Sequence, residues 1–279
     1  MSQERSRRSR RRFLKLAVLG MTGTAMAGAW DPARAPLKPL ATESARPTST
    51  WDRLRRMLAD VRRALQKPVS ERRWIMVIDP RRCVGCEACV VACKAENVTP
   101  PGVSYRTVPE VELGMYPRVN RIFMPTNCMQ CDRPPCQKVA PEGAIVKRPD
   151  GIVAIDYTKF TSREAFEAAR QACPYTALYW DDRTFATAGT YETRRLPEYE
   201  GTYTRTSGQP PVGSARKCHF CLHRLDAGLL PACVSTCLGG AMHFGDQNDP
   251  ESLVSELLAP HRVIRLNERA GTEPRLHRG

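Results

Sequence analysis

The chain has 279 residues, 42% of them hydrophobic, and a formal net charge of +14. That length allows one large or two small domains, and no apolar run reaches the length of a membrane span. The charge is segregated: residues 1–73 hold 18 Lys/Arg against 6 Asp/Glu, and residues 74–279 hold 25 against 23. The body therefore lacks the local basic excess that a phosphate-tracking surface needs, which argues against nucleic acid as a partner. Twelve cysteines are far more than an intracellular enzyme ordinarily uses, and the number divides by four.

In chain order, the N-terminus reads Ser9-Arg10-Arg11-Arg12-Phe13-Leu14-Lys15, followed by a mildly apolar stretch from Leu16 to Ala29. Small-residue cleavage patterns occur at Ala25-Met26-Ala27 and Ala27-Gly28-Ala29. Residues 1–29 resemble a twin-arginine export signal. The resemblance implies recognition by the twin-arginine translocase, export of an already folded protein, and a periplasmic location, peripheral on the cytoplasmic membrane. A disulfide framework is the competing reading of many cysteines in an exported chain. The C-x-x-C spacings oppose it, because neighbours so close in sequence make poor structural staples.

Residues 30–73 form a Pro- and Arg-rich linker that turns helical from Trp51. Leu54, Met57 or Leu58, Val61 and Leu65 fall on one stripe of an amphipathic helix with an arginine-rich opposite face, and such a stripe is expected to dock on its own domain. Trp74-Ile75-Met76-Val77-Ile78-Asp79 is a strand pattern feeding the first cysteine run, Cys83, Cys86, Cys89 and Cys93. This spacing matches the bacterial ferredoxin run, in which three thiolates bind one [4Fe–4S] cluster and the fourth ligates another.

The second run is Cys128, Cys131 and Cys136, with Ala140 at the place of a fourth cysteine before Pro141. Gly151 to Asp156 reads as another strand. The third segment retains only Cys173, and counting back from it at ferredoxin spacing reaches Ala169, Phe166 and Arg163. A long Thr-, Tyr-, Gly- and Pro-rich connecting loop is expected at residues 183–210. The fourth segment holds Cys218, Cys221, Cys233 and Cys237, and a tail with a short helix is expected at residues 249–279.

Residues 74–279 are similar to the four-cluster iron–sulfur subunits of the molybdopterin oxidoreductase superfamily, of the dimethyl-sulfoxide-reductase and polysulfide-reductase type. The resemblance is carried by Ile78-Asp79-x-x-x-Cys83, Asn127-Cys128-x-x-Cys131-x-x-Pro134-Pro135-Cys136, Ala172-Cys173-Pro174-Tyr175, Lys217-Cys218-x-x-Cys221-x-x-Arg224-Leu225, Leu230-Pro231-Ala232-Cys233 and Gly271-Thr272-Glu273-Pro274. It implies an α+β fold of two bacterial-type ferredoxin-like domains, one inserted in the other, with long loops. The outer domain would comprise residues 74–120 and 211–248 and hold two clusters; the inner one, residues 121–182, would hold one.

Carried over from the family, Cys83, Cys86, Cys89 and Cys237 would hold a first cluster. Cys93, Cys218, Cys221 and Cys233 would hold a second, and Cys128, Cys131, Cys136 and Cys173 a third. A fourth would need the positions of Ala140, Arg163, Phe166 and Ala169, none of which is a cysteine. Three [4Fe-4S] clusters are therefore expected, with apolar side chains, Phe166 foremost, filling the lost site. Zinc is the competing metal, but four thiolates crowded into eleven residues are unlike the paired spacing of zinc ribbons. His219, His223 and His243 read as ordinary polar neighbours, and Lys217 and Arg224 as groups that could tune cluster potentials.

A cluster ligated by four thiolates has no open position for substrate, and the chain has neither a nucleophile elbow nor a dinucleotide loop. The expected role is a non-catalytic electron wire between a catalytic subunit, molybdopterin-dependent by resemblance, and a quinone-reactive membrane subunit or cytochrome. A sulfite-reduction-associated membrane complex without molybdenum, or a stand-alone periplasmic ferredoxin, are the alternatives.

Overall fold

The computed structural model describes residues 49–160, 162–183, 195–198, 201–204, 208–259 and 263–279. The expected export signal at residues 1–29 lies outside the described residues, as does the linker as far as residue 48.

Ser49 starts helix α1 (Thr50–Ala64) with a reciprocal cap. Its hydroxyl accepts from Asp52 N at 3.1 Å, and the Asp52 carboxylate accepts from Ser49 N at 3.2 Å. The apolar stripe docks on the chain's own core, burying Met57, Val61 and Ala64, with Leu54, Leu58 and Leu65 at its edges. Asp60 is buried too, accepting from Leu253 N at 2.9 Å and from Arg63 at 2.8 Å.

Strand β1 (Trp74–Ile78) is buried throughout, as an unbroken apolar run predicts for a strand covered on both faces. The first cysteine loop follows and leads into α2 (Ala88–Asn97). Next come β2 (Arg106–Thr107), the exposed hairpin of β3 (Glu110–Met115) and β4 (Arg118–Phe123), and β5 (Thr126–Asn127), which pairs antiparallel with β2 at the hairpin's base. The expected boundary between residues 120 and 121 falls inside β4.

Helix α3 (Pro135–Val139), the hairpin of β6 (Ile145–Lys147) and β7 (Val153–Ile155), and α4 (Arg163–Ala172) build a smaller second core. Ser162 caps α4, its hydroxyl accepting from Ala165 N at 3.3 Å. Strand β8 (Tyr179–Trp180) comes next. Within the stretch expected as a connecting loop, β9 (Arg195–Glu198) and β10 (Gly201–Thr204) pair as an antiparallel hairpin. Gly, Pro and Thr there read as turn residues, whereas Thr and Tyr also favour strands once a partner is in register. Strand β11 (Ala215–Arg216) then pairs antiparallel with β8.

Helices α5 (Leu222–Asp226) and α6 (Ala232–Ser235) carry the fourth cysteine segment, and β12 (Met242–Asp246), α7 (Leu253–Leu258), β13 (Ile264–Arg265) and β14 (Leu276–Arg278) complete the chain. The central sheet has the order β12-β1-β14-β13. Strand β1 is antiparallel to β12, with Met76 opposite Phe244, and parallel to β14, with Met76 opposite Leu276. The expected tail thus supplies two sheet strands besides its helix. Leu276 is fully buried and the β14 backbone completes β1's hydrogen bonding, which a tail free in solvent could not do.

The larger core draws on both ends of this body, from Met57 to Leu276; the smaller one lies between Cys136 and Ala215. Among the described residues, no helix is long and apolar enough to cross a membrane.

Candidate metal centres

None of the twelve cysteines is joined in a disulfide. The loops that carry them are held in backbone conformations that few sequences adopt. Gly85 has φ +68°, and a Cβ there would lie 2.6 Å from the Phe123 ring. Glu87 before α2 and Phe220 and Cys221 before α5 are left-handed, with φ of 54°, 55° and 52°. Such residues persist where the surroundings over-determine them, and they curl each loop around its thiols.

Helix α2 carries Cys89 and Cys93 one turn apart, about 6 Å along the axis. Helix α6 carries Cys233 and is followed, at the same interval, by Cys237, and the two helices pack against each other. Thiols from distant segments act on each other electrostatically, both within the expected sets and across them. Cys83 is influenced by Cys237 and Cys86, and Cys89 by Cys233 first and then by Cys237 and Cys83. Cys93 is influenced by Cys221, Cys218 and Cys233. Cys136 is influenced by Cys128, Cys173 and Cys131.

Two influences cross between the expected sets: Cys233 acts on Cys89, and Cys128 acts on Cys218.

Burial pushes these thiols up, Cys89 and Cys218 to about 11 and Cys131 and Cys136 to about 12, with neighbouring thiols adding to the effect. Thiols so disposed lose their protons only to a strong electrophile, and a metal that binds there releases them. The first set lines a cavity with Val84, Val108, Gly239 and Met242. Among the described residues, no three His, Cys, Asp or Glu side chains converge closely enough for one metal ion. Around a single zinc, thiolates at 2.3 Å from the metal would lie within about 4 Å of each other. The thiolates of a four-iron cluster bind outside its iron corners and stand farther apart than those around one zinc, which fits these donor sets better than a single ion does.

Polar groups are already directed at the sulfurs. Asn97 Nδ2 donates to Cys93 Sγ at 3.5 Å and reaches Cys221 Sγ at 3.9 Å. Asn127 Nδ2 donates to Cys218 Sγ at 3.5 Å, and Ala241 N to Cys237 Sγ at 3.2 Å. The Thr272 hydroxyl bonds Cys131 and lies 2.8 Å from Tyr175 Oη, so the C-terminal segment reaches the last set. Hydrogen bonds of this kind raise cluster potentials by stabilising charge on sulfur.

At the four positions without cysteine, Phe166 and Ala169 are buried in the smaller core beside Cys136 and Cys173, with Ala140 at its edge. Arg163 is exposed and stacks its guanidinium over the rings of Phe166 and Trp180, at 5.2 and 5.5 Å. Lys217 is buried and acts on Cys136, Cys173 and Cys218, while Arg224 is instead paired with Glu96 at 3.0 Å. His223 meets the same carboxylate at 2.8 Å, and His219 Nδ1 accepts from Leu222 N at 3.0 Å. His243 faces Arg53 and Arg82.

Sequence reasoning passed over Asn97, Gln130 and Arg106. The Gln130 side chain is buried between segments, donating to Cys218 O at 2.6 Å and accepting from Val153 N at 2.8 Å. Asn97, one turn beyond Cys93 on α2, was legible in principle from helical spacing. Arg106 stands in no motif.

The chain matches a 4Fe-4S dicluster domain over residues 119–198 and 199–247, and a 4Fe-4S binding domain over residues 74–95. It is 52% identical to a selenate reductase subunit from Mesobacillus selenatarsenatis, across 80% of this chain and 77% of that one. It is 36% identical to a tetrathionate reductase subunit from Salmonella typhimurium, covering 72% and 70%. The arsenate respiratory reductase iron–sulfur subunit of a Shewanella strain is 34% identical, covering 72% and 93%.

Proposed function

The chain belongs to the 4Fe-4S iron–sulfur subunits of respiratory reductases, electron-transfer rather than catalytic subunits, and we propose that within this family it is a three-cluster relay. The observation that supports the reading is that the thiols of distant segments act on one another, with Cys233 acting on Cys89 and Cys128 on Cys218 across the expected sets. When bound, [4Fe-4S] clusters take up and release single electrons. The chain's own contribution is to bury and order the thiols, to aim amide donors at them, and to keep substrate away from the iron.

Cys86 is exposed and lies beside exposed Val84, which suits contact with a catalytic subunit, molybdopterin-dependent by resemblance. The set containing Cys173 then faces the other terminal, a quinone-reactive membrane subunit or cytochrome. The identity to a selenate reductase subunit favours an oxyanion as the final acceptor, with selenate the first to try. The twin-arginine motif supports assembly in the cytoplasm and a periplasmic site of action on the membrane.

Iron, acid-labile sulfide and zinc per chain in anaerobically purified protein test the relay. About twelve iron and twelve sulfide are expected. About sixteen iron would overturn the loss of the fourth site, and stoichiometric zinc with little iron would overturn the relay. Arg10→Lys with Arg11→Lys should leave the protein in the cytoplasm; continued export would overturn the proposed route.

A further inference from the structure

Arg106 is fully buried on β2, and its position differs from that of the other arginines around it. Arg216, equally buried, has Asp181 at 3.0 Å, and Arg275 has Asp132. Among the described residues, no carboxylate lies within ion-pair distance of Arg106. One of its terminal nitrogens donates to Asn127 Oδ1 at 2.9 Å and lies 3.2 Å from Met76 Sδ; the other has no partner. The neighbouring charged group is a second buried arginine, Arg278, which bonds Pro125 O at 2.9 Å and Thr126 Oγ1 at 3.1 Å.

An uncompensated guanidinium in such a place would be strongly destabilising. The Asn127 side chain that accepts from Arg106 itself donates to Cys218 Sγ at 3.5 Å. The groups that act on Arg106 electrostatically are Cys233, Cys89, Cys218 and Cys93, and Arg106 acts in turn on Cys83. Cys89 and Cys83 belong to the expected first set, the others to the second.

We propose that Arg106 is the built-in counter-charge of the first and second clusters. This deepens the three-cluster reading and rests on it. Each reduction adds one electron, delivered by the partner subunit, to an anionic site. A fixed cation in a dry, low-dielectric position favours the reduced form. Arg106 thus raises the potentials of both clusters together and keeps the step between them small. No thiol of the third set is among the groups that act on Arg106 most strongly, so the third cluster should shift least.

The experiment is a potentiometric titration followed by electron paramagnetic resonance on the full chain, with iron counted in every sample. Wild type, Arg106→Gln and Arg106→Lys are compared. In Arg106→Gln the two clusters facing residue 106 should be at least tenfold less reduced at the wild-type midpoint, a lowering of 59 mV or more for a one-electron couple. The third should stay within that margin, and Arg106→Lys should restore most of the shift.

Unchanged potentials in a fully loaded Arg106→Gln protein would overturn the proposal, as would an equal shift of all three. If Arg106→Gln fails to take up iron, loading and near-wild-type potentials in Arg106→Lys support the charge, whereas failure of both assigns the residue to packing and overturns it. Fewer than about twelve iron in the wild type would instead defeat the three-cluster reading itself.

Discussion

Arg216 Nη1 and Asp181 Oδ2 form an ion pair at 3.0 Å in which neither side chain is exposed. The same guanidinium donates to Asn97 O at 2.8 Å and lies 5.4 Å from the Tyr105 ring, so it ties β8 and β11 to the end of α2. Asp181→Ala leaves a buried cation without its carboxylate and should cost about 3–5 kcal/mol. Replacing both residues, Asp181→Leu with Arg216→Met, should recover most of that loss. Thermal melting of the iron-loaded proteins checks both outcomes.

Phe166 occupies a position that a cluster ligand would take, and only 3% of it is exposed. Phe166→Ala should destabilise the protein by about 3–5 kcal/mol, the usual range for truncating a buried aromatic side chain. The iron content of the surviving folded protein should not change. Arg163→Ala removes an exposed stacking contact and an exposed ion pair to Glu167 at 2.9 Å, and should cost about 0.5–1 kcal/mol in the same melting assay.

Asn97 serves one set alone, through Cys93 and Cys221. Asn97→Ala should lower a single potential, leaving the other two in place. A net hydrogen bond of about 1 kcal/mol corresponds to roughly a fivefold change in the reduced-to-oxidised ratio. Asn127→Ala, which removes the donor to Cys218, should act on the same cluster. A cluster-by-cluster redox titration reads both.

Acid should weaken the fold before the carboxylates titrate. Burial, with Arg53 and Arg82 nearby, pulls His243 down to about 4; burial, with Arg265 nearby, does the same to His277. Both rings are neutral in the folded chain at pH values where the unfolded chain has protonated them. Between about pH 6.5 and pH 4 the unfolded state therefore binds more protons, and stability falls as pH falls. His243→Gln with His277→Gln should flatten that part of the stability–pH curve, measured by denaturant midpoint across this range.

Features written as local patterns were legible without coordinates. The stripe through Met57 and Val61 follows from a 3.6-residue period, and the buried β1 from an unbroken apolar run. The spacing of Cys83, Cys86, Cys89 and Cys93 by itself announced cluster chemistry. These properties depend on neighbours within one or two turns of chain, which a sequence displays directly.

Only the tertiary structure placed Leu276 beside Met76 and so turned an expected tail into the strand next to β1. It also paired β9 with β10 inside an expected loop, and it brought Arg106 under the influence of thiols from α2, from the Cys218 loop and from α6. Nothing around Arg106 in the sequence distinguishes it from the other arginines. Its surroundings are made by segments more than a hundred residues apart, and burial, the absence of a carboxylate and the convergence of thiols are properties of the packed interior. Strand propensity names which residues can pair; the hydrogen-bonding needs of a buried neighbour decide which of them do.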